Sequence, residues 1–580
     1  MKKWLALVLA LVTVFALVAC GGNKTPVDNT GVVPHAYPDA TMDGKIDSPE
    51  WDGSLPIVTD NRKIVIGLRS QATVLDYKTN KEILWLEEQT GFDIEIMEFT
   101  GTSADFNTQL SLMITGEEKL PDIILSCTIN GSTADEYGRQ GAFLNLAGYM
   151  QNQAYYTKQS LDTYWQGEER ERIENYIKTE LVDIANGQMY QFPMLYANDN
   201  DTLMSATVIN TEWLEKVGKK VPTTIDELYD VLVAFRDKDP NGNGKKDEIP
   251  MFGRQDALTQ DIIGYIINAY VQFSAGQRVA VEDGKVYAPT KTPEFREAMK
   301  TLNKFVKEGL LSDMSFTAAG GDIVALLNPA DGEAYTVGVT ACMTDTNFNY
   351  GHESIYKYEP LPPLKAETEL GGYGMRCAYT FSGATYITSA CKDPTSAFRL
   401  IDFMNSGEHF LRNRYGVKGE DWDYLPEGVD GTGKGMFGGD AKIVVYPSEY
   451  TYVQNDNLGI GCSINCENYW QQLIDESTDP WTVEMYGDLS EQLANHVGRQ
   501  PEYQFHTFIR TEEEEERFAE YSSDIISLIK SAVAEFAVGT RDPYSDADWN
   551  AFVSEQEKLH IDEIWVEYGQ NSVDRDLGKI

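Results

Sequence analysis

Residues 237–250, DKDPNGNGKKDEIP, gather the oxygen-bearing side chains most suited to chemistry in this chain. Calcium takes six to eight hard oxygen ligands on a tightly turning loop, and Asp and Asn alternating with glycines supply both the oxygens and the turn. Two registers compete. In the first, Asp237, Asp239, Asn241, Gly242 and Glu248 follow the spacing D-x-[DN]-x-[DN]-G-x5-E. In the second, Asp239, Asn241, Asn243, the Lys245 carbonyl, Asp247 and Glu248 are the ligands, with Gly244 at the turn. Pro240 and the IPMFG run that follows disfavour a full helix-loop-helix, so the reading is an isolated loop in the second register. Donors so close in sequence enclose an ion and leave no open position for a reactant, which makes the expected role structural. A second stretch, Asp39, Thr41, Asp43, Asp47 and Glu50 with Gly44 at the turn, fits the same spacing except for its threonine. An acidic, turn-rich linker fits that stretch equally well.

Enzymatic signatures are absent from the sequence. It has no GxSxG, HExxH or P-loop lysine motif, and its histidines, at 35, 352, 409, 496, 506 and 560, form no pair at i, i+4. A polysaccharide hydrolase needs two carboxylates at a set separation. With 91 Asp and Glu residues, the sequence offers too many pairs to single one out. Those acids face only 48 Lys and Arg, for a net charge of -43, which excludes a nucleic-acid partner and disfavours acidic ones. Hydrophobic residues at 42% suffice for packed cores, and 580 residues exceed what one core holds, so at least two lobes are expected.

The elements that must position these residues begin after an export segment. Lys2 and Lys3, an apolar run over 4–19 and small residues before Cys20 form a signal peptide, 1–19. Its end, LVACG, resembles the bacterial lipobox, in which cleavage precedes a cysteine that is then lipidated. Cys20 is therefore the expected lipidation site, with palmitate among the expected acyl chains, and the protein is placed on the outer face of the bacterial cell membrane, anchored but not spanning. Residues 20–60, rich in Gly, Asn, Thr, Pro and Asp, read as a flexible tether. Cys462 and Cys466 are near enough to bridge, though free thiols are favoured.

KIVIGL (63–68), DIEIMEF (93–99) and PDIILS (121–126) read as strands, with helices expected around 80–90, ending at Gly91, and 105–114. Strands about 30 residues apart with intervening helices imply βαβ crossovers and a parallel sheet covered on both faces. Thr224-Ile-Asp-Glu227 reads as a capping box, and Asp393-Pro394 as an N-cap with proline at the first helical position. Glu512–Glu516 reads as a solvated helix face.

The lipobox, KIVIGL, LEEQTGFDIEI (86–96), LPDIILS (120–126), GAFLNLAGYM (141–150), NGQMYQFPML (186–195), VINTEWLEKVGKKVPTTIDEL (208–228), the 237–250 loop, SACKDPTSAFRLIDFMNS (389–406), RYGVKGEDW (414–422) and WNAFVSEQEKLHIDEI (549–564) occur in one order. That order resembles the extracellular solute-binding lipoproteins of ABC importers, and more narrowly the large calcium-loop branch that includes alginate- and fructooligosaccharide-binding proteins. The branch's calcium ligands correspond to Asp239, Asn241, Asn243, Lys245, Asp247 and Glu248. The resemblance implies an α/β, type 2 periplasmic-binding-protein-like fold with two lobes, a hinge and an interlobe ligand cleft. On this reading 61–198 and 376–430 form the N-terminal lobe, 199–375 and 431–580 the C-terminal lobe, and the crossings fall near 196–203 and 376–381.

The implied function is capture of an oligosaccharide and delivery to the permease subunits of an ABC transporter, by a monomer and without bond breakage. Sugar C–H faces pack on aromatic rings and hydroxyls need polar partners. The residues placed at strand ends or crossings are Arg69, Gln71, Ser126, Tyr196, Asn198, Arg254, Asn347, Asn349 and Tyr379. The alternatives are peptide binding on the same scaffold and, less favoured, a surface polysaccharide-degrading enzyme.

Overall fold

The computed structural model describes residues 35–580 apart from 47–48, 72–73, 117–118, 130, 197–205, 256–259, 274–277, 343–346, 350, 369, 375–383, 437, 447–454, 459–463, 468, 475–479, 497, 500–502, 504–509, 578 and 580. Strand β1 (Lys63–Arg69) alternates apolar residues into the core and leads to helix α1 (Lys81–Thr90). The Asn80 side chain caps that helix by accepting from the Glu82 and Ile83 amides, and Gly91 ends it in the left-handed conformation, φ 79°. Strand β2 (Asp93–Phe99), helix α2 (Ser103–Ile114) and strand β3 (Ile123–Ile124) follow. β1 pairs in parallel with β2, Lys63 opposite Asp93 through Arg69 opposite Phe99, and with β3 through Ile66 and Ile123. The run expected as a strand over 121–126 narrows to two residues, because Asp122 turns its carboxylate onto the Val65 amide and Ser126 leaves the strand at φ 52°.

Helix α3 (Tyr155–Tyr164) and strand β4 (Leu195–Tyr196) complete the first passage through this lobe. The second sheet starts at β5 (Ala206–Asn210). Helix α4 (Ile225–Asp237) is capped by Thr224, which accepts from the Glu227 amide. The expected reciprocal box is shifted by one residue: the Glu227 carboxylate takes the Thr223 amide and hydroxyl. β6 (Ile249–Phe252), β7 (Val337–Cys342) and β8 (Tyr358–Pro360) follow, and the sheet order is β8-β5-β7-β6 with β6 and β7 parallel. The chain then returns to the first sheet. β9 (Tyr386–Ile387) lies antiparallel to β3 and sets that sheet's order as β9-β3-β1-β2.

Helix α5 (Pro394–Phe403) has Asp393 as N-cap and buries Ala397, Leu400 and Ile401, with Met404 just beyond it. Helix α6 (Gly407–Tyr415) and the strands β10 (Trp422–Tyr424) and β11 (Ile443–Val445) pack in the same lobe. β12 (Ile464–Asn465) pairs in parallel with β4. Helices α7 (Pro480–His496), α8 (Glu512–Val538) and α9 (Asp546–Lys558) belong to the second lobe.

One core gathers residues between Met42 and Leu195 and between Ile387 and Cys466; the other gathers residues between Ile209 and Leu364 and between Ile525 and Val573. The chain therefore passes between cores three times, within 196–206, 374–384 and 474–480. The boundary expected after residue 430 is corrected by this packing. Ile443, Leu458, Ile464 and Cys466 are buried in the first core, and Leu473 donates its amide to the Ile443 carbonyl.

The flexible tether expected over 20–60 is also corrected for residues 35–60. Met42, Ile46 and Val58 are buried in the first core, and the Asn145 amide reaches the carbonyls of Tyr37, Pro38 and Ala40. Glu512–Glu516 is not simply a solvated face. Glu514 is buried against Arg575 and Asn571 and closes a capping box with Thr511, while Glu515 meets Arg510. Among the described residues no helix is long and apolar enough to cross a membrane.

Candidate functional site

Parallel strands direct their carboxyl ends to one edge of a sheet, where open α/β folds hold ligands. Arg69 stands at that edge of β1. Its guanidinium donates to the Ser103 hydroxyl at 3.0 Å and to the Gly101 carbonyl at 3.5 Å, both just beyond β2, while its buried Nε has no acceptor among the described residues. Gln71 folds back to the Arg69 carbonyl at 3.0 Å. Ser126 follows β3 in a left-handed conformation uncommon for a residue with a Cβ, and the Thr385 hydroxyl accepts its amide at 3.3 Å. Arg69, Gln71 and Ser126 therefore share one edge, two strands wide.

On the second sheet Arg254 follows β6. It donates to the Ala318 carbonyl and the Gln260 side chain, each at 3.2 Å. Asn347 and Asn349 follow β7, the strand beside β6, so these residues also share one sheet edge. Asn347 is buried and Asn349 exposed. Both are tied to Asn328, whose side chain donates to the Asn347 carbonyl and accepts from the Asn349 amide at 2.8 Å. Asn328, Thr385 and Ser103 are positioning residues that sequence reasoning missed; each is a lone polar residue whose partner lies 19 or more positions away. Tyr196 ends β4 opposite Asn465. The Tyr196 side chain, Asn198, Tyr379, Cys20 and Asp47 lie outside the described residues.

The 237–250 loop leaves α4 and enters β6. Asp239 takes a left-handed backbone at φ 48°, as do Gly242 and Gly244 at 74° and 73°. Asn241 and Asn243 both point their amides at the Asp247 carboxylate, at 2.9 and 3.0 Å. The Asn241 side-chain oxygen accepts the Asn243 amide, Asn243 accepts that of Lys245, and Asp239 accepts that of Gly244. Lys216 anchors the loop from outside through the Pro240 carbonyl at 2.8 Å. Asp237 turns away to Arg236.

The carboxyl of Glu248 has a buried oxygen with no hydrogen-bond partner among the described residues. Burial pushes this carboxyl above its ordinary range, and the charges of Asp239 and Asp247 both bear on it and add to the rise. Among the described residues no three His, Cys, Asp or Glu side chains already stand close enough to hold a metal. In this register the remaining donors are amides and a carbonyl.

The N-terminal stretch is arranged differently. Met42, Gly44 and Ile46 are buried while Thr41, Asp43 and Lys45 face solvent, an alternation that lays side chains out along a line rather than around a point. Asp43 accepts the Lys45 amide.

Two α/β lobes that each present strand ends, joined by passages of chain and carrying an acidic loop on one of them, define a ligand-capturing protein of the solute-binding class. Residues 70–406 match the family described as bacterial extracellular solute-binding protein, and the chain belongs to that family. It is 27% identical over 382 residues to Lipoprotein LipO of Bacillus subtilis, covering 64% of this chain and 69% of LipO. It is 25% identical over 348 residues to the fructooligosaccharide ABC transporter substrate-binding protein FusA of Streptococcus pneumoniae, covering 58% of this chain and 59% of FusA.

The fold is likewise that of solved FusA in complex with kestose, with a TM-score of 0.67 at 19% identity over 89% of this chain and 100% of that one. A FusA EF-hand mutant with fructo-nystose superposes equally well. A solute-binding protein of Bifidobacterium longum infantis described as binding HMO gives 0.69 at 18% identity, over 89% of this chain and 99% of that one.

Proposed function

We propose that this protein captures an oligosaccharide between its two lobes and delivers it to the permease of an ABC importer, without catalysis. The observation that carries the reading is the relation to FusA, which extends over 348 residues of sequence and to a shared two-lobed fold. Arg69, Gln71, Ser126 and Tyr196 would face the ligand from the first lobe and Arg254, Asn347 and Asn349 from the second, with Asn198 and Tyr379 on the crossings. Calorimetric titration with kestose, human milk oligosaccharides and short peptides tests it. The expected result is one-to-one sugar binding with no product. Peptide binding without sugar binding, or glycan cleavage, overturns it. The triple variant Tyr196→Ala, Arg254→Ala, Tyr379→Ala is expected to lose the sugar, and unchanged affinity would move the cleft elsewhere.

Calcium is proposed as a structural ion held by Asp239, Asn241, Asn243, the Lys245 carbonyl, Asp247 and Glu248. What supports it is the buried Glu248 oxygen that has no partner among the described residues, and the positive-φ turns at Asp239, Gly242 and Gly244. Chelation is expected to lower the melting temperature of the wild type and leave that of Asp247→Ala unmoved; equal melting curves with and without chelator would remove the ion from the reading. Cys20 is proposed as the lipidated residue that holds a monomer at the outer face of the membrane after residues 1–19 are removed. Cys20→Ser is expected to release the protein from the membrane fraction.

A further inference from the structure

The first lobe carries a groove that interlobe capture does not use. Its volume is about 810 Å³, within the range of small-molecule sites. Every wall belongs to elements of the first lobe: α1, α3, the start of α6, the turn after it, β10 and Trp470. None of the strand-end residues assigned to the interlobe cleft lines it.

Six aromatic rings stand on the wall, from Trp85, Tyr156, Tyr164, Trp422, Tyr424 and Trp470. They are held rather than loose. Trp85 stacks on Phe403 with 5.6 Å between ring centroids, Trp470 donates its indole N–H to the Tyr164 hydroxyl at 3.3 Å, and Tyr424 leans on Trp470 at 5.8 Å. Tyr424 is nevertheless 46% exposed, so it offers ring surface to a ligand.

Charges of both signs alternate with the rings. Lys418 sits 4.1 Å above the Tyr424 ring, and Glu88 and Glu408 are exposed on the rim. Arg412, only 6% exposed, donates through Nη2 to the Asp456 carbonyl at 3.2 Å, while its Nη1 has no acceptor among the described residues. A hydrocarbon ligand would leave these groups unanswered, and Lys81, Lys418 and Arg412 set beside Glu88 and Glu408 leave neither sign of charge unopposed. Rings with paired donors and acceptors instead match a neutral pyranose, whose C–H face needs an aromatic surface and whose hydroxyls both donate and accept.

A second hollow of about 430 Å³ shares Gln159 and Thr163 with the first and continues across α3 past Trp51 and Tyr155. The two together suit a chain of sugars rather than one ring.

We propose that this groove is a second carbohydrate site, confined to one lobe, for a neutral pyranosidic oligosaccharide, and that it works whether or not the lobes close. It does not rest on the interlobe reading. The test is calorimetric titration of the protein with cellotetraose, maltotetraose, mannotetraose and galactotetraose, repeated with Thr163→Arg, which places a long side chain at the junction of the hollows, and with Tyr424→Ala. Both positions are exposed, so the melting temperature should hold. At least one tetrasaccharide is expected to bind, with affinity about tenfold weaker in Tyr424→Ala and lost in Thr163→Arg. Binding by none of the four, or wild-type affinity in both variants, overturns the proposal; the second result would place that sugar in the interlobe cleft.

Discussion

Glu82 is fully buried in the first turn of α1, yet four hydrogen bonds converge on it. His409 Nε2 lies 2.9 Å away, the Asn413 amide reaches both carboxylate oxygens, and Leu458 donates its backbone N–H at 2.7 Å. The other His409 nitrogen meets the Met404 carbonyl at 3.0 Å. Burial alone would raise the Glu82 carboxyl, but the His409 and Asn413 partners hold it below its ordinary range. A carboxyl depressed in the folded state contributes stability above its unfolded value and loses it as pH falls through the folded value. Glu82→Gln is therefore expected to cost about 3 kcal/mol near neutrality by urea denaturation. The gap from wild type should narrow on acidification below the ordinary carboxylate range; a gap constant with pH would deny the carboxylate this role. Nothing local marks this network. Glu82 reads as an ordinary first-turn acid beside a cap, and its partners sit more than 320 positions away. The residues of the 237–250 loop, by contrast, stand out because all their oxygen-bearing side chains lie within a dozen residues.

At the scale of elements, helix α3 shows what local patterns miss. Its own N-cap residue, Ala154, offers no side-chain acceptor. Asp402 of α5 takes over instead, accepting the Tyr156 amide at 2.8 Å, the Thr157 amide at 2.9 Å and the Thr157 hydroxyl at 2.7 Å. A cap supplied from another helix has no sequence signature, whereas Thr224 and Asp393 were readable because each sits one residue before its own helix. Asp402→Ala is expected to cost about 2 kcal/mol, since it leaves buried donors unmet, and hydrogen exchange should quicken first at Tyr156 and Thr157. Unchanged protection there would mean that α3 is held by packing alone. Strands β1 and β2 were legible from their apolar runs, but β3 keeps only two paired residues because the side chain of Asp122 and the turn at Ser126 interrupt the ladder.

At the scale of the whole molecule, composition and length implied two lobes, and the two largest hydrophobic clusters among the described residues fall one in each. The third passage was misplaced because residues 431–474, with many glycines and short strands, carry no periodicity that distinguishes one core from the other. Packing decides it: β11 pairs with β10, and β12 with β4. The N-terminal stretch was misread for a related reason. Its turn-rich composition is that of a linker, but Met42, Ile46, Trp51 and Val58 are buried, and Tyr37, Leu55 and Ile57 pack partly buried against the first core. Burying one such side chain contributes roughly 1.5–3 kcal/mol, so together they rival the 5–15 kcal/mol margin of an ordinary domain. Deleting residues 21–60 is expected to lower the melting of the first lobe while leaving a separate transition for the second in scanning calorimetry. A single transition at the wild-type temperature would show the stretch to be dispensable.

That docking also sets a leash. If Cys20 carries the lipid, only residues 21–34 separate the anchor from the packed chain, and no chain of that length spans more than about 50 Å. On that condition the first lobe, which holds residues 35–60, would be the one kept within that distance of the bilayer. A permease in the same membrane would then meet the first lobe at high effective concentration.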